Sequence, residues 1–149
     1  MKSVVKKGYK LEQLKIGNYT IQPIEYERFA LDGGAMFGVV PKTLWNRTNP
    51  ADEKNRIEMA LRSLLIVGDG RVILIDAGIG TKWNPKFLEI YKIDFEKSNV
   101  VKSLANAGFS PEEVTDVIVT HLHFDHIGGS TKIENGRIVP VFPKAEIHI

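Results

Sequence analysis

The chain has 149 residues, 43% of them hydrophobic and 26% charged, and a formal charge of +2. This is the composition of one soluble globular domain with enough chain for a core, and it excludes a disordered tail, a collagen-like repeat and a disulfide mini-protein. Cysteine is absent, which removes disulfides, thiolate nucleophiles and thiolate-held metals. The positive excess is too small to point to nucleic acid or a membrane surface.

From the N-terminus, Met1–Lys7 is basic but has no apolar run behind it, so it does not read as a signal peptide. No run of eighteen apolar residues follows anywhere, and the cytoplasm is the expected compartment. Leu14 and Ile16 lead into Gly17-Asn18, with Tyr19, Ile21 and Ile24 beyond, which predicts a hairpin. Residues 28–56 are punctuated by Gly33-Gly34, Gly38, Pro41 and Pro50 and read mostly as loop. The large apolar residues there, Met36, Phe37, Leu44 and Trp45, either plug a core or line a pocket.

Ile57, Met59, Leu61, Leu65 and Val67 alternate at period two and predict a strand from about Ile57, with a helical start over Ala51–Leu61 as the alternative. Gly68-Asp69-Gly70 is a turn, and Val72–Ile75 is a second strand. Strands apolar on both faces are expected to be covered on both faces. Asp94–Ala107 reads as a helix, with Val100, Val101, Leu104 and Ala105 as its stripe and Gly108 as its stop. Ser110-Pro111-Glu112-Glu113 has the form of a capping box. Val117–Val119 reads as a short buried strand, and Ile138-Val139 and Ala145–Ile149 are strand-like. The order predicts α/β layers.

Three of the four histidines fall within Thr-His-Leu-His-Phe-Asp-His-Ile-Gly-Gly at 120–129. The segment leaves a predicted buried strand and enters a glycine turn, the place where an α/β sheet presents functional groups. His121 and His123 are two apart, so in extended chain both rings project the same way. Imidazole suits zinc, iron, nickel and copper. Asp125 and His126 follow at the turn, where they face the same cavity, and two such pairs suit two ions about 3.5–4 Å apart. Protonated and unpaired, these groups would repel one another; a metal holds them neutral and satisfied.

His121-Leu122-His123-Phe124-Asp125-His126, followed by Gly128-Gly129, resembles the signature of the metallo-β-lactamase superfamily. Ile73–Gly78, Gly108–Ser110, Val117–Thr120 and Phe142–Glu146 resemble its flanking segments in the same order. The resemblance implies an αββα sandwich with its metal site at one edge. It implies two divalent transition-metal ions, zinc foremost, with iron, manganese or cobalt as alternatives. His121 and His123 would hold one ion, and Asp125 and His126 the other. A metal-activated hydroxide would attack an ester, lactone or related bond, and Asp125 would also act catalytically, passing the proton to the leaving group. Asp76 would hydrogen-bond the metal-binding loop, or cap the turn at Gly78.

Asp32–Gly38 with Trp45 resembles the early loop of lactonase-like and organophosphate-hydrolase-like branches, which makes Met36, Phe37 and Trp45 substrate-pocket residues and an ester or lactone the expected small-molecule substrate. Phosphoesters and thioesters are the alternatives within the superfamily. Neither nucleic acid nor a membrane is an expected partner.

The superfamily pattern continues with a third histidine for the first ion, a bridging acid and a further histidine. Only His148 remains, inside a strand-like run, where it reads as a strand residue and not as a ligand. Ile149 also falls within that run. Residues 1–149 are therefore expected to be the N-terminal part of a single domain whose C-terminal half is not in this chain, with the site completed elsewhere. The missing half, or a second copy of the chain, is the expected protein partner. The alternatives are an inactive, self-associating metal-binding fragment and a structural metal module.

Overall fold

The computed structural model describes residues 13–96 and 99–149. The reading of Met1–Lys7 and the helix positions 97–98 lie outside the described residues. Strand β1 (Leu14–Ile16) turns at Gly17-Asn18 into β2 (Tyr19–Asp32), with Ile16 opposite Tyr19 as the hairpin pattern predicts. β2 runs on through 28–32, which the sequence reads as loop. Its partner explains the difference: β3 (Arg56–Gly68) pairs with it out to Asp32 opposite Arg56, so glycine and proline only follow the strand. Two short helices, α1 (Gly33–Phe37) and α2 (Lys42–Trp45), interrupt the rest of the predicted loop, which holds at 38–41 and 46–55. The Asp32 carboxylate caps α1 by accepting the Ala35 amide at 2.7 Å.

β3 begins where the alternation predicts, and β4 (Arg71–Ile75) returns beside it. Helix α3 (Pro85–Tyr91) has no counterpart in the sequence reading. Its signals are local: Asn84 accepts the Phe87 amide, and Pro85 stands in the first turn. The helix predicted from Asp94 starts later, as α4 (Val100–Asn106), because extended Asn99 caps it through the Lys102 amide at 3.0 Å. The capping box at Ser110 and Glu113 forms as read and leads into β5 (Asp116–Ile118). Then come α5 (Phe124–Ile127), the hairpin of β6 (Thr131–Glu134) and β7 (Arg137–Pro140), and β8 (Glu146–His148).

The main sheet has the order β1-β2-β3-β4-β5-β8. β4, β5 and β8 are mutually parallel and the other neighbours antiparallel. Leu65, Leu74 and Val117 stand in register on one face and are fully buried with Val100 and Leu104 of α4. The opposite face carries Leu64, the neighbour of Leu65, and the paired Ile75 and Ile118, yet Leu64 stays 38% and Ile118 40% exposed. The expectation of cover on both faces is therefore not met: α4 packs against one face, and the described residues lay no second layer over Leu64 and Ile118. The architecture is mixed α/β, as the segment order predicts. Among the described residues no helix is long and apolar enough to cross a membrane.

Candidate metal centre

β4 and β5 are parallel neighbours, so the segments that follow them emerge at the same edge of the sheet. Asp76 follows β4 directly. Its backbone is left-handed at φ 55°, and its amide donates to the Ile118 carbonyl at 2.8 Å. Its carboxylate faces the segment after β5. Asp76 Oδ1 accepts the Thr120 amide at 2.8 Å, the Thr120 hydroxyl lies at 3.0 and 2.9 Å from the two carboxylate oxygens, and His126 Nδ1 is 2.8 Å from Oδ2. The carboxylate thus orients the His126 ring and leaves its Nε2 directed away.

The motif residues gather on this frame. His121 Nε2 lies 3.1 Å from His123 Nδ1, and Asp125 Oδ2 lies 3.4 Å from His126 Nε2. The His121 ring is 3.9 Å from that of His126 and 4.6 Å from that of His123, centroid to centroid. His121 and His123 are exposed, whereas Asp125 and His126 are half-buried. The donor chemistry fits a borderline divalent ion. Two nitrogens at about 2.0–2.1 Å from a tetrahedral ion stand roughly 3.3 Å apart, close to the separation within each pair.

Backbone contacts lock the two segments together. The Ala77 amide donates to the His126 carbonyl at 2.6 Å and the Gly129 amide to the Gly78 carbonyl at 2.8 Å. A Cβ on Gly128 would stand 2.2 Å from the Ile79 carbonyl oxygen, and one on Gly129 would stand 2.0 Å from that of Ala77. Lys82, which nothing in the sequence marked, donates from Nζ to the carbonyls of Gly128 at 2.6 Å and Thr131 at 2.7 Å. Thr120 belongs to the flanking segment Val117–Thr120, but nothing in the sequence assigns its hydroxyl a partner.

The proposed pocket residues separate. Met36 lines a cavity of about 580 Å³ together with Leu31, Ile90 and Tyr91. Phe37 stacks on Trp45 at 5.1 Å, and Trp45 is buried over Gly33 and Ile57. The Tyr91 ring lies 5.1 Å from that of Phe124, the neighbour of Asp125, so the cavity wall adjoins the motif.

A second cluster lies at the start of β5. Asp116, Glu146 and His148 bring three potential ligand atoms within 4.8 Å of one another. Here the carboxylate is already taken. Arg71 Nε donates to Asp116 Oδ2 at 2.9 Å and a second guanidinium nitrogen pairs with Oδ1; Thr115 Oγ1 donates to Oδ2 at 2.7 Å, and His148 Nε2 lies 2.9 Å from Oδ1. The Arg71 hydrogen bonds foremost, with those of Thr115 and His148, hold the Asp116 carboxyl well below the usual carboxylate range. The cluster is an ion-pair network.

Residues 62–149 match the sequence model of the metallo-beta-lactamase superfamily. Among solved structures, a probable metal-dependent hydrolase from Staphylococcus aureus is 37% identical with a TM-score of 0.77, over 90% of this chain and 47% of that one. AidC, a dizinc quorum-quenching lactonase solved in complex with a product, is 27% identical with a TM-score of 0.66, over 92% of this chain and 43% of that one. An N-acyl homoserine lactonase from Bacillus cereus is 39% identical over 44 residues, which are 30% of this chain and 18% of that protein. The chain spans less than half the length of these solved relatives.

Proposed function

Because the chain belongs to the metallo-β-lactamase superfamily, we propose that it carries the N-terminal portion of a divalent-metal hydrolase acting on an ester or lactone. The observation that carries this reading is the pairing of potential ligand atoms at the shared edge of β4 and β5: His121 with His123 at 3.1 Å, and Asp125 with His126 at 3.4 Å. His121 and His123 would hold one ion, Asp125 and His126 a second, with zinc the first choice for such nitrogen and oxygen donors. Ions bound there lower the pKa of water and polarise a carbonyl. Asp76 keeps His126 in the tautomer whose Nε2 lone pair is free. Asp125, facing the same space, takes the proton of the attacking water and returns it to the leaving alkoxide.

A lactone or ester with an apolar acyl group is the substrate class best supported. The cavity beside Phe124 is lined by Leu31, Met36, Ile90 and Tyr91, and AidC and the Bacillus cereus relative are lactonases. The accessible apolar face at Leu64 and Ile118 supports a site completed by the C-terminal half of the fold, seated there with the remaining ligands. Metal analysis and lactone hydrolysis should be measured on residues 1–149 alone and on the chain mixed with such a half. We expect bound transition metal in both samples and turnover in the mixture only. Full turnover by residues 1–149 alone overturns the shared-site reading, and self-association without turnover in either sample favours a second copy.

A further inference from the structure

The pairing of β2 with β3 slips between Glu25 and Arg28: Glu25 stands opposite Arg62 and Arg28 opposite Ala60. One extra residue is thereby inserted into β2, a bulge of the kind that re-aims side chains. Its two central residues, Tyr26 and Glu27, are neighbours in a strand, yet both are 1% exposed. A buried glutamate with no lysine or arginine paired to it among the described residues calls for a reason.

Both side chains hold the turn that carries Asp76. The Tyr26 hydroxyl lies 3.2 Å from the Ile75 carbonyl oxygen and 3.1 Å from that of Asp76. Glu27 Oε2 accepts the Ile79 amide at 3.0 Å, the Gly80 amide also faces the carboxyl, and a Cβ on Gly78 would stand 2.7 Å from Oε2. Glu27 Oε1 is buried and has no hydrogen-bond partner among the described residues. The hydrogen bond of this carboxylate is therefore made by Oε2, and it is to the backbone of a single turn. That turn is joined in its own right to the motif, through Ala77 to His126 and Gly78 to Gly129.

We propose that Glu27 is a positioning residue for the metal-binding loop: from the β2 bulge it grips the Ile79 amide and so sets Asp76 against Thr120 and His126. The proposal rests on the metal reading given above only for the purpose of the grip, not for the grip itself. The carboxyl acts as an acceptor of amide protons. An amide side chain of the same length keeps that acceptor, a shorter carboxylate withdraws it, and a methyl abolishes it.

The test compares the wild-type chain with Glu27→Gln, Glu27→Asp and Glu27→Ala by amide hydrogen exchange and by titration with Co²⁺, followed through its visible absorption. The amides of β4 serve as an internal reference for global unfolding. In Glu27→Ala and Glu27→Asp, exchange at Ile79 and Gly80 is expected to quicken about tenfold or more while β4 is unchanged, and Co²⁺ affinity to fall by about 10-fold. Glu27→Gln is expected to stay within about threefold of wild type in both readouts, a rescue that a requirement for charge would not allow. If Glu27→Ala does not fold, Glu27→Asp against Glu27→Gln decides. Unchanged exchange at Ile79 and Gly80, exchange that rises equally in β4, or a Glu27→Gln as impaired as Glu27→Ala overturns the proposal. A wild-type chain that binds no Co²⁺ but shows the expected exchange pattern overturns the metal reading and leaves the grip established.

Discussion

The two ends of β5 place similar chemistry in opposite conditions. At its start, Asp116 meets His148, and at the edge beyond its end, Asp76 meets His126, each with 2.8–2.9 Å between carboxylate oxygen and imidazole nitrogen. A threonine hydroxyl joins both pairs, Thr115 at one and Thr120 at the other. The difference is Arg71, whose guanidinium takes both oxygens of Asp116. Among the described residues no lysine or arginine pairs with Asp76, whose partners are an amide, a hydroxyl and an imidazole. A histidine beside a carboxylate is thus not by itself a metal site. What separates the two is whether a fixed cation already neutralises the acid, and whether further imidazoles converge on it.

The comparison breaks if both ends respond alike to metal. His121→Ala and His123→Ala are expected to weaken Zn²⁺ or Co²⁺ binding by more than about 100-fold, and Asp76→Ala by about 10–100-fold, as for the partners that orient metal ligands. His148→Ala should leave binding unchanged. Equilibrium dialysis with metal analysis measures all four, and a loss in His148→Ala equal to that in His121→Ala would erase the distinction.

The next effect concerns stability. Asp116→Ala leaves His148 without its acceptor, leaves Thr115 only the Val72 carbonyl, and removes a buried carboxylate from Arg71. Because the guanidinium is half exposed and screened, the expected loss is about 1–3 kcal/mol in urea unfolding, without a change in metal binding. The sign with pH follows from the depressed pKa of Asp116. Its contribution is present above the unfolded value near 4 and is lost as the pH falls below it. Asp116→Ala should flatten that acid limb.

Glu27 sharpens the comparison from a third direction, since it has amides for partners and no cation. Burial pushes its carboxyl up to about 7, with the Ile79 and Gly80 amides opposing the shift. The folded chain therefore holds this proton more tightly than the unfolded chain does. The stabilisation is fully present below about pH 4.5 and is lost as the pH rises through about 7, on the order of 1–3 kcal/mol. Glu27→Gln should remove the slope between those values, and a slope unchanged in this variant would mean that Glu27 titrates normally.

Much of this arrangement was legible in the residues. Gly17-Asn18 marked its hairpin, Ile57 the start of β3, Ser110 and Glu113 their cap, and the spacing of His121, His123, Asp125 and His126 named the segment that gathers at the sheet edge. These are signals carried by contiguous residues. What escaped depends on pairing at a distance. The strand at 28–32 exists because Arg56–Ala60 lies beside it, and the roles of Glu27 and Lys82 arise from loops about fifty residues away in sequence. α3 was visible in principle, through Asn84 and Pro85, but at seven residues it offers only a single turn of apolar repeat, Phe87, Leu88 and Tyr91.

The tight backbone approach at Gly128 and Gly129 has a bearing on how this molecule can change. Neither residue offers a functional group, yet each faces a carbonyl oxygen where a methyl would need to be. Under the proposed function, a library that varies the loops should treat these two positions as closed and place its diversity on the cavity residues Met36, Ile90 and Tyr91. The seam beneath the motif has room for hydrogen alone.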